Sequence, residues 1–460
     1  MDSKKSKTRL KSGPLEGIRV LELGTAVAGP LCAALLGDMG ADVIKIEAPD
    51  HGDDSRRWGT TVKEESPYFV QYNRDKRSIA LDIRREEGRA ILLKLVKRSD
   101  VLIENFRPGT MKRLGLSYAL LRRLNRKIVY CSVSGFGQTG PYSRLGGYDA
   151  IIQALSGLMS VTGEAKGPPL RVGVPITDIL AALYAAFSVT LALLVRDRTK
   201  GGQLIDVSLF ESGVSAVSQW ITISKLTGAP VRRFGNSYPL LAPYELFETK
   251  DRPIVVAVGN DEHWARLCRV IEREDLIADP RFRSNPDRIL PANREILIGI
   301  LREALMKRPS DSWVGAFRDV GIPAGVINSI EDLAHDPQLR ARGAFAEVKH
   351  STLGKVEIVA ALPKFSETPG RIRLPSPRLG EQTDGVLREV GFSRKEILGL
   401  RRSGEGRARR ASPDSSLATA SSYRSSPPTS SLPPRLGRPS PFSRRYSADG
   451  PGISRRQRAT

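Results

Sequence analysis

The chain has 460 residues, enough for two or three ordinary domains, and its 40% hydrophobic content is typical of a soluble globular protein with a sizeable core. Its formal net charge of +22 lies mostly at the ends, because residues 401–460 carry +10 and residues 1–12 carry +4. The body is only mildly basic, which argues against specific nucleic-acid binding and is compatible with an anionic polyphosphate ligand.

The first half of the chain alternates short apolar runs with helix-compatible segments. Strands are predicted over residues 18–23, 42–46, 78–82, 100–103 and 127–133, and helices over residues 28–39 and 85–97. Strands that alternate with helices at this spacing predict a parallel α/β sheet whose ligands bind at the carboxyl ends of the strands. The fold class is therefore α/β.

The second half predicts a smaller unit and a return to the first. A strand at residues 254–258 lies among several short amphipathic helices, and a helix is predicted at residues 394–400. The predicted divisions are a basic extension (1–12), a large domain (13–225 and 341–402), a smaller α/β domain (226–340) and a tail (403–460). The tail is rich in Arg, Ser and Pro, a composition that predicts disorder.

Cysteines and histidines show no metal or redox spacing. Cys32, Cys131 and Cys268 are far apart, so we expect reduced core thiols in a cytoplasmic protein, with the mitochondrial matrix as the eukaryotic alternative. No histidine stands in an HxxxH or HExxH pair, and no metal site is predicted. Residues 179–195 are apolar but end at a charged residue, which predicts a buried helix and no membrane contact.

Loops at the ends of predicted strands carry the candidate site. The first, GTAVAGP at residues 24–30, is neither a GxGxxG fingerprint nor a P-loop, but backbone N–H groups at the start of its helix are suited to a phosphate or carboxylate. The second, ENFRPG at residues 104–109, leads into a basic cluster of Arg107, Lys112 and Arg113. This cluster is either a solvated loop or a contact to cofactor phosphates.

Two further loops contribute glycines and an aspartate. Residues 134–149, SGFGQTGPYSRLGGYD, follow a predicted strand, and their glycines let the backbone approach a ligand closely. Residues 167–178, GPPLRVGVPITD, end at Asp178, directly before the apolar helix. Asp178 is a helix N-cap, a nucleophile or both. An aspartate with the ordinary pKa of about 3.9 is ionised at neutral pH, so we expect an available carboxylate.

Segments along residues 13–402 follow one another in an order that resembles a known family. They are GPLEGIRVLELGTAVAGP, ADVIKIEAP, GDDSRRWG, NRDKRSIALDI, ENFRPGTMKRLGL, SVSGFGQTGPY, GYDAIIQALSGLMSVTG, GVPITD, VAVGND, GIPAGVINSIEDLAHDP and LGEQTDGVLREVGF. This order is similar to that of the class III CoA-transferases, which include formyl-CoA transferase and carnitine CoA-transferase. GQTGPY and GLMSVTG look closest to the succinyl-CoA:dicarboxylate members, including the succinyl-CoA:glutarate enzyme.

The resemblance implies an enzyme that moves coenzyme A between two carboxylic acids, with succinyl-CoA as the expected donor and no permanently bound cofactor. The nucleophilic aspartate of the family matches Asp178, which would carry an aspartyl-CoA thioester. Contacts to CoA are implied at Val27, Ala28, Leu81, Asp82, Ile83, Arg84, Asn105, Phe106, Arg107, Arg113, Gly146, Gly147, Tyr148 and Asp149. The family fold is a Rossmann-like large domain plus a small domain, in a homodimer of interlocked subunits.

Three positions depart from formyl-CoA transferase. Ala48 stands in place of an arginine, Gly146 in place of a lysine and Val27 in place of a glutamine. Two of these changes remove contacts to CoA and the third alters the reaction centre, so they argue against formyl and oxalyl substrates. Arg171, which precedes Asp178, is a candidate partner for a second substrate carboxylate and is otherwise an ordinary surface arginine.

Two alternatives to a CoA-transferase remain. 2-Methylacyl-CoA racemases share the fold and use a His–Asp pair at the acyl α-carbon, with the histidine directly before the aspartate of a GxD segment. Tyr148 stands at that position in GGYD, which favours transfer over racemisation. The other alternative is a binding protein that has lost the chemistry, and the presence of Asp178 argues against it.

Overall fold

The computed structural model describes residues 13–402, and the predictions made for residues 1–12 and 403–460 lie outside the described residues. Six parallel strands form the central sheet: β1 (Arg19–Glu22), β2 (Asp42–Glu47), β3 (Lys76–Ala80), β4 (Val101–Glu104), β5 (Val129–Ser134) and β6 (Leu204–Ser208). Their order is β3-β2-β1-β4-β5-β6, which is the Rossmann order. The predicted parallel α/β sheet is confirmed.

Helices connect these strands and cover both faces of the sheet. They are α1 (Ala28–Asp38), α2 (Pro67–Tyr72), α3 (Glu86–Val96), α4 (Thr110–Arg113), α5 (Tyr118–Leu124), α6 (Asp149–Leu155), α7 (Leu158–Val161), α8 (Ile176–Val195), α9 (Leu209–Ala216) and α10 (Ser218–Thr227). Since successive strand residues point to opposite faces, Val20 joins the core beneath α1 and α8, and Leu21 joins the core beneath α3. Every strand and helix predicted in this half occurs, with ends within two residues of those observed.

Strand β3 begins earlier than predicted. Its first residues are charged, and a prediction that looks for runs of apolar residues does not include them. The strand begins at Lys76 and ends at Ala80, two residues earlier than predicted. The Lys76 side chain is fully buried, with its ammonium group 3.3 Å from the carboxylate of Glu22. The neighbouring residue, Arg77, pairs with Asp42 on β2 at 2.7 Å. Acidic partners on β1 and β2 thus allow charged residues to begin a buried strand.

Residues beyond α10 build a second, antiparallel sheet with its own core. Its strands are β7 (Tyr244–Phe247), β8 (Ile254–Ala257) and β9 (Ala324–Val326), and its helices are α11 (Asp261–Val270), α12 (Asp275–Ala278), α13 (Asn285–Arg288), α14 (Pro291–Leu305), α15 (Ser310–Asp319), α16 (Ile330–Leu333) and α17 (Pro337–Ala341). Trp264, Phe282 and Trp313 are buried at the centre of this core. A separate small domain at 226–340 stays a prediction.

The last described segment lies against the large sheet. It contains a hairpin of β10 (Phe345–His350) and β11 (Gly354–Val359), followed by α18 (Thr383–Glu389) and α19 (Arg394–Arg402). The Ser78 N–H donates to Gln382 Oε1 at 2.7 Å, and the Ala80 N–H donates to Thr383 Oγ1 at 3.1 Å. These bonds satisfy backbone groups of β3, which would otherwise be an open sheet edge.

Helix α8 was predicted to be buried, and this prediction is wrong for half of its surface. Small residues such as Ala181 and Ala185 pack closely against α1 and the sheet. The opposite face exposes large apolar side chains, among them Phe187 (61% exposed) and Leu194 (71% exposed). Among the described residues, α8 alone is long and apolar enough to cross a membrane, a criterion that core helices of soluble proteins also meet. Apolar composition alone could not distinguish a buried face from an uncovered one.

Candidate active site

Two adjoining cavities lie at the carboxyl ends of the strands. The central cavity, of about 490 Å³, contains Asp178, and the side cavity, of about 280 Å³, opens beside β2 and β3. Thr25 and Phe106 line both cavities. An extended ligand could therefore occupy both at once, with one end near Asp178.

Most of the predicted site residues line one of these cavities. The central cavity is lined by Val27, Ala28, Asn105, Phe106, Arg107, Gly146, Gly147, Tyr148, Asp149 and Asp178, and the side cavity by Leu81, Asp82, Ile83, Arg84 and Phe106. Arg113 and Arg171 line neither cavity. Arg113 donates to Thr110 Oγ1 at 2.8 Å, and the exposed Arg171 donates to the carbonyl of Val172. The role of Arg171 as a partner for a second substrate carboxylate stays a prediction.

Asp178 lies in the first turn of α8, where Pro175 is the N-cap residue. The predicted N-cap role of Asp178 is therefore wrong. Its half-buried carboxylate faces the backbone N–H of Ala28, the first residue of α1, and this N–H favours the charged form of Asp178. The unpaired N–H groups and the dipole at the start of a long helix also favour negative charge at this position.

Asp149 ties α6 to the start of α8. Its Oδ1 accepts hydrogen bonds from Thr177 N at 2.9 Å and Thr177 Oγ1 at 2.7 Å. Its Oδ2 accepts a hydrogen bond from Gln153 Nε2 at 2.7 Å, and Gln153 Oε1 accepts one from Val172 N. Asp149 thus holds the residue next to Asp178 and brings a second carboxylate into the cavity.

The environment of Asp178 opposes its ionisation. Burial raises the pKa of Asp178 to about 7, the neighbouring charge of Asp149 adds to this rise, and the hydrogen bond from Ala28 works against it. The expectation of a fully ionised carboxylate at neutral pH is therefore corrected, because that expectation assumed an ordinary pKa. A group that titrates near neutral pH within a cavity is typical of a functional site.

The loop at residues 24–27 brings the start of α1 to Asp178. Asn105 lies just after β4. Its Oδ1 accepts a hydrogen bond from the Thr25 N–H at 2.9 Å, and its Nδ2 donates one to the Thr25 carbonyl at 2.8 Å. A Cβ atom on Gly24 would meet Glu22 Oε1 at 2.8 Å and Asn105 Oδ1 at 3.1 Å, so a larger residue would have to displace these two side chains. Ala26 has a left-handed backbone with a φ of 66°, which is uncommon for a residue other than glycine. The loop is thus tightly constrained.

The glycine-rich loop contacts itself through its backbone. A Cβ atom on Gly135 would lie 2.9 Å from the Cα of Gly147, so these glycines permit a close approach that larger residues would block. A Cβ atom on Gly146 would lie 3.3 Å from Arg107 Nη2. The guanidinium of Arg107 therefore stands beside the position where formyl-CoA transferase has a lysine, and it supplies a positive charge there.

Aromatic residues of the central cavity were missed in the sequence. Trp58 and Tyr68 line it, with their ring centroids 5.5 Å apart, and Tyr72 packs on Tyr68 at 5.0 Å. Burial and the neighbouring Tyr72 and Asp178 raise the pKa of Tyr68, so its phenol stays neutral and can donate a hydrogen bond. GDDSRRWG and the segment around Tyr68 bore no recognisable spacing that would have assigned them a role.

The described residues offer no evident metal ligands. Among them, no group of three or more His, Cys, Asp or Glu side chains is placed to hold a metal ion. Cys32, Cys131 and Cys268 are buried and unpaired. Burial raises the pKa of Cys32 to about 12, so this thiol is not a thiolate at neutral pH. The carboxylate of Asp178, the predicted nucleophile, lines the central cavity.

Comparisons with known proteins identify the family of the chain. Residues 15–383 match the model of CoA-transferase family III. The succinyl-CoA:glutarate CoA-transferase of Mus musculus is 38% identical over 82% of this chain and 86% of its own length. The acetyl-CoA:oxalate CoA-transferase of Acetobacter aceti is also 38% identical, over 82% of this chain and 96% of its own.

A solved structure shares the fold. A CAIB/BAIF family protein from Brucella suis is 36% identical and superposes with a TM-score of 0.75, over 83% of this chain and 100% of its own. The family resemblance seen in the sequence is confirmed by these matches. The chain therefore belongs to CoA-transferase family III and is an enzyme of the CoA-transferase class.

Proposed function

We propose that this enzyme moves CoA from succinyl-CoA to a dicarboxylic acid such as glutarate, through an aspartyl-CoA thioester on Asp178. The observation that carries the proposal is the half-buried carboxylate of Asp178, which faces a cavity lined by the predicted CoA contacts and accepts the Ala28 N–H. The substrates are proposed from the name of the mouse relative. An acyl-CoA and a free carboxylic acid are thus the ligands of one site.

The proposed reaction consists of acyl exchanges that need no water. The Asp178 carboxylate attacks the thioester carbon of succinyl-CoA, the C–S bond breaks, and an anhydride and CoA thiolate form. The thiolate attacks the Cγ of Asp178, which releases succinate and leaves aspartyl-CoA. The acceptor carboxylate then attacks Cγ and expels the thiolate, giving a second anhydride. Finally, the thiolate attacks the acceptor acyl carbon, which yields the new thioester and restores the Asp178 carboxylate.

Groups around Asp178 support these steps. Each attack on Cγ places negative charge on an oxygen of Asp178, and the Ala28 N–H already points at this carboxylate. The neutral phenol of Tyr68 is a second donor within the same cavity. Because the thiolate and the reacting acid are held in one site, the successive attacks gain from proximity.

The two cavities suggest how CoA is placed. We propose that the side cavity, next to Arg84 and Phe106, holds the nucleotide end of CoA. The pantetheine arm then passes Phe106 into the central cavity, where Arg107 lies beside Gly146. This placement brings the thioester to Asp178.

Racemisation receives no support from the central cavity. Among the described residues, no histidine lines this cavity, and Tyr148, at the position of the racemase histidine, is 76% exposed. A His–Asp pair that shuttles a proton at the acyl α-carbon therefore has no counterpart here.

The exposed face of α8 supports a homodimer. Leu183, Phe187, Leu191 and Leu194 form an apolar stripe that a second copy would cover. The family resemblance implies such a homodimer with interlocked subunits. A cytoplasmic location, with the mitochondrial matrix as the eukaryotic alternative, stays a prediction.

The first prediction concerns turnover and substrates. Purified enzyme is given succinyl-CoA and one free acid from a panel of glutarate, malate, itaconate, mesaconate, oxalate, formate and carnitine, and acyl-CoA products are identified by mass spectrometry. We expect glutaryl-CoA to form fastest. Asp178→Ala and Asp178→Asn are expected to lower kcat at least about a thousandfold while remaining folded, because they remove the nucleophile. Turnover by Asp178→Ala at the wild-type rate would falsify the proposal.

The second prediction concerns pH. Since the ionised form of Asp178 reacts and burial raises its pKa to about 7, kcat/KM should rise with pH through about 7. Asp149→Asn keeps an oxygen that can accept hydrogen bonds from Thr177 but removes the negative charge that raises the pKa of Asp178. The rise in kcat/KM should therefore move to lower pH. The control is Asp206→Asn, which removes a carboxylate that binds Gln138 N and lines neither cavity. An identical profile in the wild type and Asp149→Asn would contradict the account of the pKa.

The third prediction concerns assembly. Light scattering should give twice the mass of one chain, because the apolar stripe on α8 would be covered by a second copy. Phe187→Glu should yield monomer or aggregate, whereas Leu398→Glu, a similar change on α19, should leave the dimer intact. A wild-type protein that stays monomeric at micromolar concentration would refute the homodimer.

A further inference from the structure

A buried group of charges stands behind the loop at residues 24–27. The Lys45 ammonium lies 3.1 Å from the Glu22 carboxylate and 3.0 Å from Asp53 Oδ2, and it donates to the Gly24 carbonyl at 2.9 Å. The side chains of all three charged residues are excluded from solvent. None of these groups takes part in the acyl exchanges proposed above.

Such a group is not explained by stability alone. Charges removed from water lose hydration, and well-packed apolar residues often replace a buried ion pair without loss of stability. A buried pair does fix geometry, because its members and their hydrogen-bonded partners have few alternative positions. The backbone groups that this pair holds therefore show which part of the chain it positions.

Asp53 links the charges to the loop. Its Oδ1 accepts the N–H of Ala26 at 3.1 Å, along with the Ser55 N–H at 2.9 Å and the Ser55 hydroxyl at 2.7 Å. Its Oδ2 forms an ion pair with the Lys45 ammonium group, but the two groups are not aligned as in a hydrogen bond. The carboxylate is thus fixed on one side by Lys45 and binds the backbone of the loop on the other.

The loop needs such a partner. Ala26 has a φ of 66°, a conformation that costs free energy for a residue with a side chain and persists only where its surroundings hold it. Val27, the N-cap of α1, follows, and the N–H of the next residue, Ala28, faces the Asp178 carboxylate in the central cavity. Val27 alone therefore separates Ala26, whose N–H is held by Asp53, from Ala28, whose N–H faces the proposed nucleophile.

We propose that Asp53, fixed by Lys45, is a positioning residue that holds Ala26 so that the Ala28 N–H meets the Asp178 carboxylate. The inference rests on the proposed role of Asp178. Loss of the Asp53 contact releases Ala26 from its left-handed conformation and withdraws the Ala28 N–H. Asp178 then loses a hydrogen bond that favours its charged form and the oxygen of its Cγ loses a donor during each attack.

The sign of the effect separates this role from a direct electrostatic one. Removal of the Asp53 anion by itself would make ionisation of Asp178 easier, so it would lower the pKa of Asp178. Loss of the Ala28 hydrogen bond would raise this pKa. A rise in Asp53→Ala therefore reports the movement of the loop.

The chain offers a matched control at the other end of α1. Asp38, the last residue of this helix, forms a buried ion pair with Arg74 at 2.6 Å. Asp38→Ala removes a buried, paired carboxylate from the same helix without touching the loop. General destabilisation should occur in this variant, but the environment of Asp178 should not change.

The experiment titrates the Asp178 carboxyl carbon by ¹³C NMR in full-length enzyme with labelled aspartate, with the signal assigned by its loss in Asp178→Asn. The variants are Asp53→Ala, Lys45→Met/Asp53→Ala and Asp38→Ala. The double variant removes one cation and one anion, so the core keeps no uncompensated charge if the single variant fails to fold. Circular dichroism checks folding, and kcat and KM for succinyl-CoA are measured in parallel.

We expect a higher titration midpoint for Asp178 in the folded Asp53 variants, with kcat lower by about ten- to a hundredfold, and a wild-type midpoint in Asp38→Ala. A wild-type midpoint in the folded Asp53 variants, or an equal rise in Asp38→Ala, overturns the inference. Because the titration needs no turnover, the outcomes are separable. If the midpoint rises but Asp178→Asn keeps its turnover, the positioning role stands and the proposed function fails.

Discussion

The Ala28 N–H faces the Asp178 carboxylate, so the starts of two helices meet at a carboxylate inside a cavity. A carboxylate nucleophile reacts better when it is shielded from water, but it must also stay ionised. Burial and Asp149 push Asp178 towards its neutral form, and the Ala28 N–H opposes them, which leaves a pKa of about 7. The remaining features of the site can be understood as means of keeping these two helix starts together.

The fold accomplishes this with a Rossmann sheet and small residues. Loops after β1, β4 and β5 meet at one sheet edge, because parallel strands direct their carboxyl ends the same way. Ala181 and Ala185 let α8 pack closely against α1, so Asp178 comes within reach of Ala28. Asn105 holds one side of the intervening loop and Asp53 the other. The apolar side chains on the outer face of α8 are the surface on which the proposed homodimer rests.

The sequence predicted what depends on local pattern. The parallel sheet, its strands and most of the cavity lining followed from alternating elements, loop glycines and the family resemblance. The pKa of Asp178 did not, because it depends on burial and on Asp149 and Ala28, which are distant in the chain. The buried partners of Lys45 were equally hidden, since a lysine in a strand says nothing of a carboxylate across the sheet. The open face of α8 was missed because apolar composition does not reveal what covers a helix.

The most direct test is to look for the covalent intermediate. Enzyme is incubated with succinyl-CoA and no acceptor, and the reaction is quenched in acid. The protein is then digested, and the mass of the peptide that contains Asp178 is measured by mass spectrometry. The account predicts that this peptide gains the mass of CoA less one water, and that glutarate added before the quench removes the label and yields glutaryl-CoA. Formation of glutaryl-CoA without any labelled Asp178 peptide, or with the label on another residue, would contradict the account.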